Sequence, residues 1–297
     1  MTTRRIATRA RGCFLVALAA TLVPATAAAQ RTEQVFSGTL PQGATLRLAT
    51  ATGEVDVRRA SGSTLEVTGV AHEDGSEVRF EVLREGDELI VCALRVDVDR
   101  CSDRGVDSRD SRRSDDSRGD LRVTLPAGID LVAGSGNGNV RVGDAGGDVH
   151  AASGNGEVEV NGAAGEVHAA SGNGEVAVSD ARGPVEASSG NGDVSVTTAR
   201  GPVTASSGNG ALSIDIADLP GDADLRFSTG NGRIELTLPA DFAADLEANL
   251  GNGEVESDFP MTIDGRLDPH RVRARIGDGG RRLVVSSGNG DLVLRRR

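Results

Sequence analysis

From Gly147 to Arg200 the chain reads as nine-residue units that open on Gly and then alternate apolar with polar positions: GDVHAASGN, GEVEVNGAA, GEVHAASGN, GEVAVSDAR, GPVEASSGN and GDVSVTTAR. Alternation places Val149, Ala151 and Ser153 on one face and His150 on the other, and sets Val158 and Val160 against Glu157 and Glu159. Such a pattern predicts half-buried strands about five residues long. The tetrapeptide Ser-Gly-Asn-Gly returns at Ser135, Ser153, Ser171, Ser189 and Ser207, 18 residues apart each time. A fixed period of that size marks a stacked repeat. Two strands and two tight turns fit one 18-residue coil, and the next coil sets each residue about 4.8 Å above its equivalent.

The expected fold is therefore all-β: a single-stranded right-handed β-solenoid with two short strands per coil, its hand taken from the general crossover rule. An antiparallel meander is the alternative, since Asn-Gly also signals hairpins. A meander needs a second layer over its Val face, whereas a coil covers its own, so the solenoid is preferred. Stacking makes columns of equivalent residues. Val158, Val176, Val194 and Leu212 are expected on one inner sheet, and Ala151, Ala169, Ala187 and Ala205 on the other. A thin interior of this kind fills with small side chains, in keeping with 6 Phe and no Trp or Tyr in the chain. Asn137, Asn155, Asn173, Asn191, Asn209, Asn231 and Asn289 form a structural turn ladder, at positions where Asn and Gly tolerate left-handed backbone and where stacked amides can bond from coil to coil.

Around this repeat the chain divides into three parts. Residues 1–29 read as a signal peptide, with four Arg ahead of an apolar run from Cys13 to Val23 and Ala27, Ala28 and Ala29 before Gln30. Residues 30–128 form a more irregular β region that includes a mobile charged loop at 102–120, and 129–297 form the regular solenoid. Pro184 and Pro202 sit one period apart at a turn, and the terminal Arg295, Arg296 and Arg297 are read as a basic cap on an open sheet edge. Export implies a periplasmic or cell-surface location. No transmembrane segment is expected in the mature chain.

The whole chain has 32 basic against 44 acidic residues. Without the first 29 residues the balance is 28 Arg against 44 acids, a net −16, which excludes nucleic acid as a natural partner. Cys92 and Cys101 are the cysteines that remain, and an oxidising compartment predicts a disulfide between them. No cofactor or metal is expected. Glu157, Glu175 and Asp193 form an acidic column, a candidate contact ladder for a cation or a basic polymer, with a solvated acidic face as the plainer reading. His150 and His168 are also 18 apart, but two His without a third ligand make a poor zinc site. The turns carry Asn where a calcium β-roll needs Asp. Arg118-Gly119-Asp120 in the charged loop could imitate a receptor-binding tripeptide. Ser residues repeat in turns without a distinguishable base, so no catalytic residue is assigned.

A longer motif ties the two β regions together: TLPQGATLRLATATGEVDV at Thr39 recurs as TLPAGIDLVAGSGNGNVRV at Thr124 and, more loosely, as TLPADFAADLEANLGNGEV at Thr237. This Leu-Pro-x-Gly turn, the alternating strand after it and the closing Gly-[EN]-Val-x-Val resemble the bacterial putative-adhesin family of unknown function, over about Phe36 to Leu294. The resemblance implies an exported, envelope-associated and non-catalytic β-solenoid, with no catalytic residues to carry over. The function expected is a cell-envelope or surface interaction module whose partner is an envelope component. A polysaccharide-active β-helix and a periplasmic sensor of envelope stress are the alternatives.

Overall fold

The computed structural model describes residues 30–72, 77–96, 98–108, 117–198, 200–263 and 270–297. The segment read as a signal peptide lies outside them. All regular structure among the described residues is β, in a 12-stranded and a 13-stranded sheet and one two-stranded hairpin. The fold is a β-solenoid. In the larger sheet Leu131, Val149, Val167, Val185 and Val203 stand in parallel register, one coil apart. Val140, Val158, Val176, Val194 and Leu212 do the same in the smaller sheet. We call these the Ser sheet and the Val sheet. Their inner faces meet in one core that runs from Ala44 to Leu294, so the sheets pass without a break from the irregular region into the regular one.

Ser-Gly-Asn-Gly divides its work residue by residue. Its Ser points inward and is buried, and its hydroxyl donates to a glycine carbonyl of the neighbouring coil: Ser153 to Gly138, Ser171 to Gly156, Ser189 to Gly174, each 2.8 Å. The first Gly faces out, where backbones pass so closely that a Cβ on Gly172 would lie 2.5 Å from the Gly154 carbonyl oxygen. Asn closes the strand. Left-handed backbone is expected at these Asn, but among the described residues the non-glycine positions with positive φ are Asp144 (51°) and Asp180 (53°), at the ends of Val-sheet strands. Except for Asn173, which lies two residues past its strand, the Asn remain in strand conformation and in register, and all of their amides stack.

The ends depart from a simple sequential stack. Strand Arg282–Asn289 lies between Leu225–Asn231 and Ala244–Asn252, so the last coil of the chain is inserted inside the one before it. At the other end Thr45–Thr52 lies between Glu88–Arg95 and Asp130–Asn137. Antiparallel strands then close the slab, with Gln30–Gly38 and Leu65–His72 at one end and Met261–Ile263 and Arg271–Ile276 at the other. The basic tail is accordingly not an edge cap. Strand Leu292–Arg296 is next to last in its sheet and paired on both sides as far as Leu294, Arg295 meets Glu256 at 3.0 Å, Arg297 meets Asp215 at 2.8 Å, and Arg296 lies over the Phe259 ring. The span read as a mobile loop, 102–120, is cut into by strands at both ends, Gly105–Ser108 and Arg118–Leu125, while 109–116 lies outside the described residues.

Close passage of backbones makes a test. Gly172→Ala is expected to cost about 1–3 kcal/mol, the usual penalty for overpacking. Ala170→Ser, which only copies the neighbouring Ser188, should stay within about 0.5 kcal/mol. Urea denaturation of both variants measures the difference.

Candidate functional site

Three columns of side chains run along the coils. The first is the Asn ladder, in which each amide donates to the carbonyl oxygen of the next: Asn155 to Asn137, Asn173 to Asn155, Asn191 to Asn173, Asn209 to Asn191, Asn231 to Asn209 and Asn289 to Asn231, at 2.7–2.9 Å. An eighth member, Asn252, donates to Asn289 at 2.8 Å. It was missed because its tetrapeptide is Leu-Gly-Asn-Gly, and because its coil lies outside the one that follows it in sequence.

The acidic column occupies the next turn position. Glu157, Glu175 and Asp193 sit in consecutive coils, linked by the backbone bonds Val158 to Glu175 and Val176 to Asp193. Their side chains do different things. Glu157 shares Arg141 with Glu54 and Glu159, at 3.6–3.8 Å. Asp193 accepts the Ala211 N–H at 2.8 Å, as Asn139 accepts that of Glu157 at 2.9 Å, so a short polar side chain at this position serves the next coil's backbone. Glu175 is exposed. Among the described residues no three His, Cys, Asp or Glu side chains converge on a point that would hold a metal ion.

On the outer face of the Ser sheet His150 and His168 stack, with ring centroids 4.5 Å apart and planes within 3°. The His168 ring nitrogens meet Glu166 at 3.0 Å and Glu186 at 3.1 Å. The two rings form one wall of a shallow groove of about 370 Å³, floored by Ala49, Gly134, Ala152 and Ala170. A hairpin, Asp99–Ser102 with Gly105–Ser108, stands at one end of the groove and contributes Arg104. Cys92 and Cys101 are joined by a disulfide that fixes this hairpin over a small second core of Ala49, Ile90, Cys92 and Leu94. A loop this short stabilises by about 2–3 kcal/mol on the chain-entropy account.

The Arg-Gly-Asp sequence is not displayed as a receptor ligand would be. Arg118, Gly119 and Asp120 belong to a strand paired on both sides, and the Asp120 carboxylate is buried against Arg118, the Glu54 N–H and His72, each at 2.8 Å. Burial pushes this carboxyl up, but the bonds from Arg118, Glu54 and His72 outweigh it and hold Asp120 below the usual carboxylate range. Gly119 in turn gives its carbonyl to the buried Thr50 hydroxyl.

The class defined by this geometry is a two-sheet β-solenoid in which repeated polar side chains serve the neighbouring coil. The chain belongs to the Toastrack DUF4097 family, whose model matches residues 56–295. Among solved structures it is similar to a putative adhesin from Bacteroides fragilis, at 12% identity and a TM-score of 0.44 over 91% of this chain and 98% of that one. It is also similar to a putative lipid binding protein from Parabacteroides distasonis, at 12% identity and a TM-score of 0.46 over 89% and 96%. A putative cell adhesion protein from Clostridium sporogenes matches at 8% identity and a TM-score of 0.28 over 91% and 99%. No curated protein matches. The family assignment rests on the match to residues 56–295.

Two tests follow from the columns. Asn173→Ala removes two side-chain bonds and Asn137→Ala one; at about 0.5–1.5 kcal/mol per bond the first should lower stability about twice as much, as read by urea denaturation. Asp120→Asn should cost about 1–3 kcal/mol at neutral pH. Because the folded carboxyl titrates below its ordinary value, that stabilisation is present above the unfolded pKa, about 3.9, and is lost as pH falls through the lower folded value. The gap between wild type and variant should therefore narrow in a denaturation series carried below about pH 4.

Proposed function

We propose that this protein is an exported, non-enzymatic module of the bacterial cell envelope that acts by presenting a repetitive surface to an envelope component. The observation that carries this reading is the way the repeat uses its polar groups. The Ser hydroxyls that sequence alone would offer as nucleophiles are buried and donate to carbonyls of the neighbouring coil. The Asn amides are spent on one another. What remains for function is surface, arranged in columns with one step per coil. Family membership and the basic, apolar, small-residue order of the first 29 residues support the same reading. On this reading the acidic column is a contact face, with Glu175 and Asp193 its more exposed members.

Co-sedimentation of the processed chain with isolated cell envelopes tests this. Saturable pelleting is expected, weakened when Glu157, Glu175 and Asp193 are all replaced by Ala. Pelleting that survives the replacement keeps the module and discards the column as its contact. A wild-type chain that stays in the supernatant at every envelope concentration overturns the reading.

A further inference from the structure

We propose that the outer face of the Ser sheet at its C-terminal end docks a linear acidic polysaccharide, held by Arg226, Arg271, Arg273, Arg275 and Arg282. The proposal rests on the envelope-module reading and gives the module a second contact, apart from the acidic column, with the chemical class of what it holds.

Five arginines collect there in a protein that is otherwise strongly acidic. In strand Arg271–Ile276, Val272, Ala274 and Ile276 face the core, while Arg271, Arg273 and Arg275 face out opposite Asn249, Glu247 and Asp245. Arg282 stands beside Asp245 in the next strand, and Arg226 lies one strand further on. The nearby carboxylates are too few to neutralise them. Glu247 is shared by Arg271 at 3.7 Å, Arg273 at 3.4 Å and Arg282 at 3.9 Å, Asp245 faces Arg275 at 3.4 Å, and Asp224 accepts the Arg282 backbone N–H. One carboxylate gathers three guanidinium groups but cannot neutralise them, so surplus positive charge remains. Their side chains are more than half exposed, from 55% for Arg275 to 61% for Arg282. Guanidinium forks of this kind suit planar carboxylates.

The surface that leads away from the patch favours a hydroxyl-rich chain over a membrane. One outward column runs Arg271, Asn249, Ser286, Ser228, Ser206, Ser188, in strand-to-strand register throughout. Five steps at about 4.8 Å make a polar track about 24 Å long. Beside it the outward glycines Gly190, Gly208, Gly230, Gly288 and Gly251 leave the sheet flat. A membrane-binding surface combines cations with exposed apolar side chains. Among the described residues the apolar side chain that faces out among these arginines is the half-buried Val284, and the exposed Ile263 is in register with the buried Ala274, on the opposite face, so the patch offers little exposed apolar surface. The acidic remainder of the molecule repels a polyanion, and screening over about 8 Å at physiological ionic strength confines the attraction to the patch itself.

The test measures binding of the full chain to polygalacturonate, with neutral dextran and vesicles of phosphatidylglycerol in phosphatidylcholine as comparators. Polygalacturonate should bind in a salt-sensitive manner, dextran and vesicles should not, and Arg271→Gln combined with Arg273→Gln and Arg275→Gln should weaken binding by about tenfold or more. Arg58→Gln, an exposed arginine near the other end of the other sheet, serves as a control that leaves this affinity unchanged. Far-UV circular dichroism checks the fold of each variant, and Arg226→Glu, in a different strand, provides a second probe if the triple variant unfolds. Equal affinity in wild type and in folded patch variants overturns the proposal, as does binding to vesicles alone or to dextran as tightly as to polygalacturonate. Envelope pelleting without polygalacturonate binding overturns the glycan face and leaves the module. Polygalacturonate binding without pelleting does the reverse.

Discussion

Everything in this molecule depends on parallel stacking in register at an 18-residue step. Once Val149 stands over Leu131 and under Val167, every other residue of the coil also meets its own equivalent. Each position must then tolerate a copy of itself about 4.8 Å away. Asn does so well because its amide both donates and accepts, which gives a continuous chain of bonds that Asp could not make while ionised. His rings satisfy the same condition by stacking. Like charges do not, and the acids of the Val sheet show the remedy: Arg141 draws together Glu54 from the coil on one side and Glu157 and Glu159 from the coil on the other.

Stacking creates a problem at its two ends, where a parallel sheet exposes unpaired backbone to the next molecule. The chain meets it by changing order and direction. Inserting Arg282–Asn289 inside Ala244–Asn252 leaves the outermost places in both sheets to three-residue strands, Met261–Ile263 and Val255–Ser257. At the other end antiparallel pairing takes over, and Gln30–Gly38 carries a bulge between Gln34 and Phe36 that breaks its regularity. The two ends therefore do not match: three-residue strands close one, and the longer antiparallel strands Gln30–Gly38 and Val78–Glu85 close the other.

Much of this was legible because the repeat is nearly exact. Alternation set the two faces, the period set the register, and the valine and alanine columns were readable residue by residue. What escaped was long in range or broke the period. The insertion of the last coil brings Asn289 between Asn231 and Asn252, an order that sequence position contradicts. Asp120 reads as part of a charged polar run, and only the fold shows that it is buried beside His72, 48 residues away. The arginines of strand Arg271–Ile276 lie where the repeat has loosened, and their gathering depends on antiparallel pairing that no periodicity announces.

That difference says where specific chemistry can reside. A position repeated unchanged through the stack is accounted for by the stack, because packing or coil-to-coil bonding already requires the residue found there. The inner valines, the buried serines and the asparagines are all of this kind. The outward columns of the Ser sheet are not, since each strand could carry almost any polar side chain there without disturbing the core. Yet those columns change along the stack, from His150 and His168 through Glu186, Thr204, Arg226, Val284 and Glu247 to Arg273, and from Ala152 and Ala170 through four serines and Asn249 to Arg271. The scaffold requires the uniform columns. The varied ones are left to be explained by what lies against them.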